Sequence, residues 1–478
     1  MEHPLLDLVQ TGVSNSLYRL PVFRHWGCTV VPTARASTPQ NKEFQVLTRR
    51  VPHVLAALSF TTLLIVGVGD SLIGAGAAAD VPRGTPEEVG LSAERLTRIN
   101  DVVQRAMDDE AISGAVTIVA RHGKIAHFEA QGLMDIEDGT PMRTDTIFPI
   151  ASMTKPVTGV AILMMVEEGL VRLTEPVSRF VPEFTDPAVA VWQNGTRPRR
   201  GADAPEAYTI PAAREITIRD LMTHTSGLGS GGAGAIATQR VAPRRSTDTL
   251  KTYVAELGDA PLDFQPGTHW AYSGLNGIDT LGRVVEVVSG LTFDQFLAQR
   301  IFEPLGMDDT AFVPATASAS RVVTLYRRSP DGLGRVDVPA WVDTKTLFSG
   351  GGGLWSTAED YLQFAQMLLN RGELGGVRLL GSRTVELMAS NHVGELYAEG
   401  GTTGGRPGMG FGLTVRVVEN AVEAQQSMSN GSFGWGGAFG TNFWVDPKED
   451  LTAVLMVQTP GGTLRGDFAN AVLQSIVD

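Results

Sequence analysis

Cysteine is all but missing from this chain of 478 residues, with Cys28 its single copy. No intrachain disulfide can form, and no cysteine set can hold a zinc ion. Histidine is scarce as well: there are eight, and no two stand at metal-ligand spacing. His122, beside Gly123, and His224, before Thr225, read as turn residues, so neither a metal nor another cofactor is expected. Positive charge is short too. Thirty-nine basic residues face 52 acidic ones, a net charge of −13. With a pI near 5.2, that balance argues against a nucleic-acid or anionic-membrane surface. No serine sits in Gly-x-Ser-x-Gly, which excludes the nucleophile elbow of the α/β-hydrolases. The run Gly350–Gly353 has no Gly-Lys-Ser/Thr sequel, so it is no phosphate loop; Ser356 or Thr357 is expected to cap a helix from Glu359 to Leu369.

Residues 1–48 show little periodicity. Arg49-Arg50 then precede an uncharged, largely apolar stretch from Val51 to Val68, followed by Ala75-Gly76-Ala77-Ala78-Ala79-Asp80. A basic pair, an apolar core and a small-residue site make a secretory signal, with cleavage expected near Ala79. Residues 1–79 are therefore read as extension plus signal peptide and residues 80–478 as the mature domain, secreted or periplasmic. Uncleaved, the 51–68 stretch sits at the lower edge of a membrane span and would be the chain's only membrane contact. The depth of the signal in the chain points to a translation start further downstream.

What is present centres on Ser152-Met153-Thr154-Lys155, the only Ser-x-x-Lys among six lysines. It opens a run read as a helix, Pro156 to Gly169, and a three-residue spacing there puts two side chains on nearly one face. A serine hydroxyl is a weak nucleophile until a base takes its proton. A lysine can serve only where burial or nearby positive charge lowers its pKa. Ser-x-x-Lys alone is common and usually marks a solvated helix face. Here apolar residues flank it on both sides, Ile147–Ile150 before and Val157–Val166 after.

Around it the chain reads as mixed α and β. Ser92 caps a first helix ahead of Leu96, Ile99, Val102 and Val103. Gly114–Ala120 and Lys124–Ala130 form a hairpin across His122-Gly123, and Thr441–Val445 with Leu451–Gln458 form another. A last helix is expected over Phe468–Val477. Hairpins and helices at both chain ends suit one antiparallel sheet flanked by helices, an α/β (α+β) fold, with a helical part inserted at about 150–350. Ala202–Ala213 and Gly229–Arg245 read as loops rimming a cleft. Asp279 and Glu286 read as solvated or structural helix residues.

Three further segments complete a pattern: Met222-Thr223-His224-Thr225-Ser226-Gly227-Leu228, then His269-Trp270-Ala271-Tyr272-Ser273-Gly274, then Trp435-Gly436-Gly437-Ala438. In this order, with Ser152-x-x-Lys155, they resemble the serine β-lactamase and penicillin-binding-protein superfamily, from about Gly84 to the C-terminus. The nearest resemblance is to the class C β-lactamase-like esterases, the family VIII carboxylesterases. It implies a β-lactamase/transpeptidase-like fold, Ser152 as the acylated nucleophile, Lys155 as its base and Tyr272 as a second acid/base.

The family's Tyr-x-Asn ends here in Gly274, which removes an amide-reading side chain. Trp435 stands where a lysine or histidine would hold a β-lactam carboxylate, and it offers an N–H but no cation. Both changes point to neutral esters. The glycines at 436 and 437 would let an acyl group lie along the strand, with the N–H groups of Ala438 and Ser152 as oxyanion hole. Read structurally, the same glycines merely admit a neighbouring backbone, Tyr272 is a core aromatic after Trp270, and Thr225-Ser226-Gly227 is a turn. The expected activity is hydrolysis of short-chain carboxylic esters, with a small-molecule ester as the only partner and weak β-lactamase activity beside it. A class C-like β-lactamase, a D,D-peptidase, an acyltransferase and a non-catalytic penicillin-binding-like protein are the alternatives.

Overall fold

The computed structural model describes residues 80–193, 195, 206–343, 345–399, 405–460 and 462–478. Cys28, the signal read at 49–79 and the first residues of the segment read as a 202–213 loop lie outside them; the described part of that segment is a strand, Ala207–Pro211, paired with Ala188–Trp192. No helix among the described residues is long and apolar enough to cross a membrane.

Strand β1 (Gly114–Arg121) is apolar at nearly every position and buried along its whole length. A strand without polar alternation needs cover on both faces, which makes it central. The chain reverses at His122-Gly123, where both residues have positive φ (51° and 71°), and returns as β2 (Lys124–Asp135) and β3 (Thr140–Pro141). The remaining strands come from the far end of the chain: β4 (Met409–Phe411), β5 (Arg416–Val418), β6 (Phe433–Gly436), β7 (Asn442–Asp446) and β8 (Leu451–Val457). One eight-stranded sheet results, in the order β4-β5-β6-β7-β8-β1-β2-β3. Its seam is antiparallel, running from Ala115 opposite Val457 to Arg121 opposite Leu451.

The helices follow from their caps and apolar stripes. In α1 (Ala93–Asp108), the Ser92 side chain accepts from the Arg95 N–H, and Leu96, Ile99, Val102 and Val103 form the buried stripe. Helix α2 (Thr154–Glu167) is buried on almost every side, as its uninterrupted apolar sequence requires. Helix α3 (Ala233–Val241) occupies the middle of a segment read as loop; its small residues give no strong stripe, which is why the sequence hid it. Helix α4 (Asn276–Ser289) packs on α2. Thr357 caps α5 (Ala358–Leu369), which lies on β8, β7 and β1. The last helix, α6 (Leu464–Leu473), starts four residues before the expected Phe468 and packs on α1.

One carboxylate in this frame carries a pH prediction. Asp360, in the first turn of α5, accepts from the Asp309 N–H at 2.9 Å and Thr310 Oγ1 at 2.8 Å. Burial outweighs those bonds and pushes its carboxyl up to about 6. A raised carboxyl binds its proton more tightly in the folded state. Its favourable contribution is therefore complete below the unfolded value near 4 and is lost as pH rises through about 6. Asp360→Asn removes the ionisation, so it should stabilise the protein at pH 8 by about 2–3 kcal/mol while changing little at pH 4. Thermal unfolding at the two pH values checks this; equal shifts at both would refute it.

Candidate active site

The site is assembled at the entrance to α2. Residues Ala151–Met153 form a 3₁₀ turn that runs directly into the helix, so Ser152 precedes the first α-helical turn and Lys155 stands inside it. Ala151 has φ of 47°, a left-handed conformation that a residue with a side chain adopts only when its surroundings impose it. Those surroundings are visible. The Ile150 N–H donates to Leu354 O at 3.0 Å, the Leu354 N–H to Thr154 Oγ1 at 3.2 Å, and Tyr361 Oη to Met153 O at 2.7 Å. The turn that carries Ser152 is thus pinned on both sides of that residue.

Three side chains meet there. Lys155 Nζ lies 3.2 Å from Ser152 Oγ, and Tyr272 Oη donates to the same oxygen at 2.7 Å. Lys155 is fully buried, whereas Ser152 and Tyr272 remain partly open to solvent. A substrate can therefore reach the hydroxyl but not the amine. Lys155 also donates to Gly274 O at 2.6 Å and to Gly351 O at 2.5 Å. Its Nζ sits 4.9 Å from the centre of the Tyr272 ring. Burial alone would raise the Tyr272 phenol; the Lys155 charge and the hydrogen bond to Ser152 outweigh it and hold the pKa below its ordinary value of 10.

His224 sits in a turn, as its sequence suggested, with φ of 57°, yet it is fully buried and belongs to this site. Its ring lies 4.8 Å from that of Tyr272 and 5.3 Å from that of Phe411. Burial first, and the Lys155 charge second, keep its pKa well below the usual 6.5, so the imidazole is neutral. Nδ1 accepts the Ser273 N–H at 3.3 Å, and Nε2 meets no partner among the described residues. A His-Thr-Ser-Gly turn in sequence gives no hint that its ring reaches Tyr272.

The glycine-rich segment is placed beside the serine, in a form that refines the expectation. Strand β6 ends at Gly436, and Gly437–Gly440 form a turn, so Ala438 is in the turn and exposed. A Cβ on Gly437 would lie 2.3 Å from Ile150 O; only glycine permits that approach to the residue two before Ser152. The backbone N–H groups of Ser152 and Ala438 have no acceptor among the described residues. Trp435 is buried, with its ring 5.6 Å from that of Tyr272 and its Nε1 short of any hydrogen-bond geometry; the Tyr272 shift is therefore ascribed to Lys155. Gly274 faces open space, with no atom within 4 Å of where a Cβ would be.

A neighbouring arginine group has no signature in the sequence. Trp435 and Gly436 also line a cavity of about 540 Å³, whose charged walls are Arg406, Arg416, Arg465 and Asp467. None of the three arginines has a carboxylate within ion-pair distance among the described residues. Arg465 also donates to Gly440 O at 3.1 Å and to Gly437 O, bracing the turn that carries Ala438.

Fold and site define a serine hydrolase of the β-lactamase and penicillin-binding-protein type. The chain belongs to the β-lactamase family, whose model matches residues 99–477. Esterase EstB of Burkholderia gladioli is 32% identical over 82% of this chain and 97% of its own length. Monacolin J acid methylbutanoyltransferase of Aspergillus terreus is 27% identical over 78% of this chain and 92% of its own. Among solved structures, EstCE1, a hydrolase with promiscuous acyltransferase activity, superposes with a TM-score of 0.66 at 28% identity, covering 80% of this chain and 99% of that one.

Proposed function

We propose that this protein hydrolyses short-chain carboxylic esters through an acyl-enzyme on Ser152. The carrying observation is the double approach to Ser152 Oγ, by Lys155 at 3.2 Å and Tyr272 at 2.7 Å. Lys155 takes the hydroxyl proton as Oγ attacks the acyl carbon. The Ser152 and Ala438 N–H groups receive the developing oxyanion. The Tyr272 phenol, with its pKa held down by Lys155, passes a proton to the leaving alkoxide. Water then attacks the acyl carbon by the reverse proton route and frees Ser152. The esterase name of EstB and the hydrolase title of EstCE1 support this choice of substrate class. Export by the 49–79 signal is proposed with it, which would place the substrate outside the cytoplasm.

One observation favours a second reading. Arg406, Arg416 and Arg465 supply the positive charge that Trp435 lacks, so a carboxylate-bearing substrate, a β-lactam or a D-amino-acid amide, has a place to rest. Gly274 weighs against it, because no side chain there reads an amide. The deciding measurement is kcat/KM for a C2–C4 aryl ester, a cephalosporin and a penicillin on one preparation. The ester should lead. A charge-assisted hydrogen bond to a carboxylate is worth about ten- to hundred-fold in affinity, so Arg416→Gln should cost the lactams roughly that factor and the neutral ester little. A penicillin value at or above the ester value would replace the esterase reading with the β-lactamase one.

A further inference from the structure

A buried carboxylate outside the Ser152 group is hydrogen-bonded to the same glycine whose carbonyl holds Lys155. Asp279, on α4, is fully buried. Its Oδ1 accepts from Ser349 Oγ at 2.7 Å and from the Gly351 N–H at 3.0 Å. Its Oδ2 is paired with Arg244. Gly351 O is in turn the 2.5 Å acceptor of Lys155 Nζ. The preceding Gly350 O accepts from Thr158 Oγ1 of α2 at 2.9 Å. A Cβ on Gly351 would come within 2.7 Å of Leu275 Cα, so this segment must be glycine and has no side chain of its own to fix it. Hydrogen bonds to its backbone do the fixing.

The other carbonyl is tied to the same network. Gly274 O belongs to the turn that leads into α4. Two residues on, Asn276 Oδ1 accepts from Tyr253 Oη at 2.9 Å, and the Arg244 guanidinium lies 4.6 Å from the centre of the Tyr253 ring. Arg244 therefore touches both arms: Asp279 by charge and Tyr253 by its face.

The stereochemistry of an amine makes this arrangement consequential. As a charged amine Lys155 donates to Ser152 Oγ and to both carbonyls at once; in the form that takes up the hydroxyl proton, a lysine has two N–H bonds and one lone pair in tetrahedral directions. With Gly274 O and Gly351 O taking the two N–H groups, the remaining direction is the one facing Ser152 Oγ. We propose that Asp279 is a positioning residue for acyl transfer: by anchoring the Gly351 N–H it aims the Lys155 lone pair at the serine hydroxyl. The inference rests on the reading of Lys155 as the base.

Removing Asp279 alone would strand the Arg244 charge in the interior, so the pair is best replaced together. Arg244→Gln/Asp279→Asn keeps an oxygen acceptor for Gly351; Arg244→Gln/Asp279→Leu keeps the shape and removes the acceptor. The expected result is that the asparagine pair retains kcat to within about tenfold, while the leucine pair loses about a further hundred-fold, the scale of an ångström-level misplacement of a reacting group. KM for a short aryl ester should move by less than about threefold in both. Equal kcat for the two pairs, or a loss that appears in KM instead, overturns the proposal. Should the leucine pair fail to fold, Ser349→Ala decides: it removes one of the two donors on Oδ1, and kcat lowered about threefold or more at constant KM supports the inference, whereas wild-type kcat overturns it. Lys155→Ala serves as the control. If that variant keeps full activity, the base assignment itself fails; if it is inactive while the two pairs match, only the role of Asp279 does.

Discussion

Ser152→Ala should lower ester turnover by roughly four to six orders of magnitude, and Lys155→Ala should come close to the same loss. In the proposed mechanism the two act as one unit. Without Oγ there is nothing for the amine to deprotonate, and without the amine the hydroxyl stays protonated at neutral pH. The double variant should therefore be little worse than either single one. Neither change should unfold the protein by removing packing at the turn, because Ile150, Met153 and Thr154 hold it through other bonds. Lys155→Ala does leave a fully buried space and two carbonyls without their donor; methionine at 155 is the better-packed control. The measurements are kcat/KM on an aryl ester and the mass of the protein trapped with a slow acylating agent. A fully active Lys155→Ala enzyme, or an adduct on any serine but Ser152, contradicts the mechanism.

Tyr272→Phe should cost roughly two to four orders of magnitude in kcat, the range of a lost general acid or base. The substitution leaves the ring, and with it the contacts to His224, Trp270 and Trp435, so the thermal midpoint should barely move. What disappears is the phenol 2.7 Å from Ser152 Oγ. In the proposed mechanism its proton serves the leaving group, so the penalty should depend on that group. A nitrophenolate leaves without help, whereas an ethoxide needs the proton, so an ethyl ester should suffer far more than a nitrophenyl ester of the same acid. An equal loss on both would remove Tyr272 from leaving-group protonation.

Much of this was legible in the chain. Ser92 and Thr357 announce their helices because a capping hydroxyl before an apolar stripe has few other uses. The two hairpins show where strand-forming runs such as Val116–Val119 and Leu451–Val457 meet the turn residues His122-Gly123 and Asp446–Asp450. Ser152, Lys155 and Tyr272 could be picked out because motifs of fixed spacing survive in sequence. Long-range contacts do not. Asp279 looks like any helical aspartate; only the fold brings Ser349, Gly351 and Arg244 to it. His224 reads as a turn and is one, but its burial against Tyr272 depends on Phe411, far along the chain. The arginines at 406, 416 and 465 are scattered, and nothing in their spacing says that they share a cavity. Helix α3 is hidden in the sequence because Ala and Gly leave no periodic signal, and a strand reading of Trp435–Ala438 overruns β6, which stops at Gly436.

The sheet itself sets an order of events for biosynthesis. Its central strand, β1, is made early, yet one of its two partners is β8, completed only at Val457. A ribosome must therefore finish nearly the whole polypeptide before that ladder can close. Until then Gly114–Arg121 is an apolar strand with one bare edge, the kind of segment that attracts other chains. Such non-local pairing also folds slowly. Under the export proposed above, the delay would be an advantage, because the full sheet cannot close before the C-terminal strands are released. For the same protein overproduced in a cytoplasm, it is a liability, and holding chaperones or lower temperature should raise the soluble yield more than any change at the surface would.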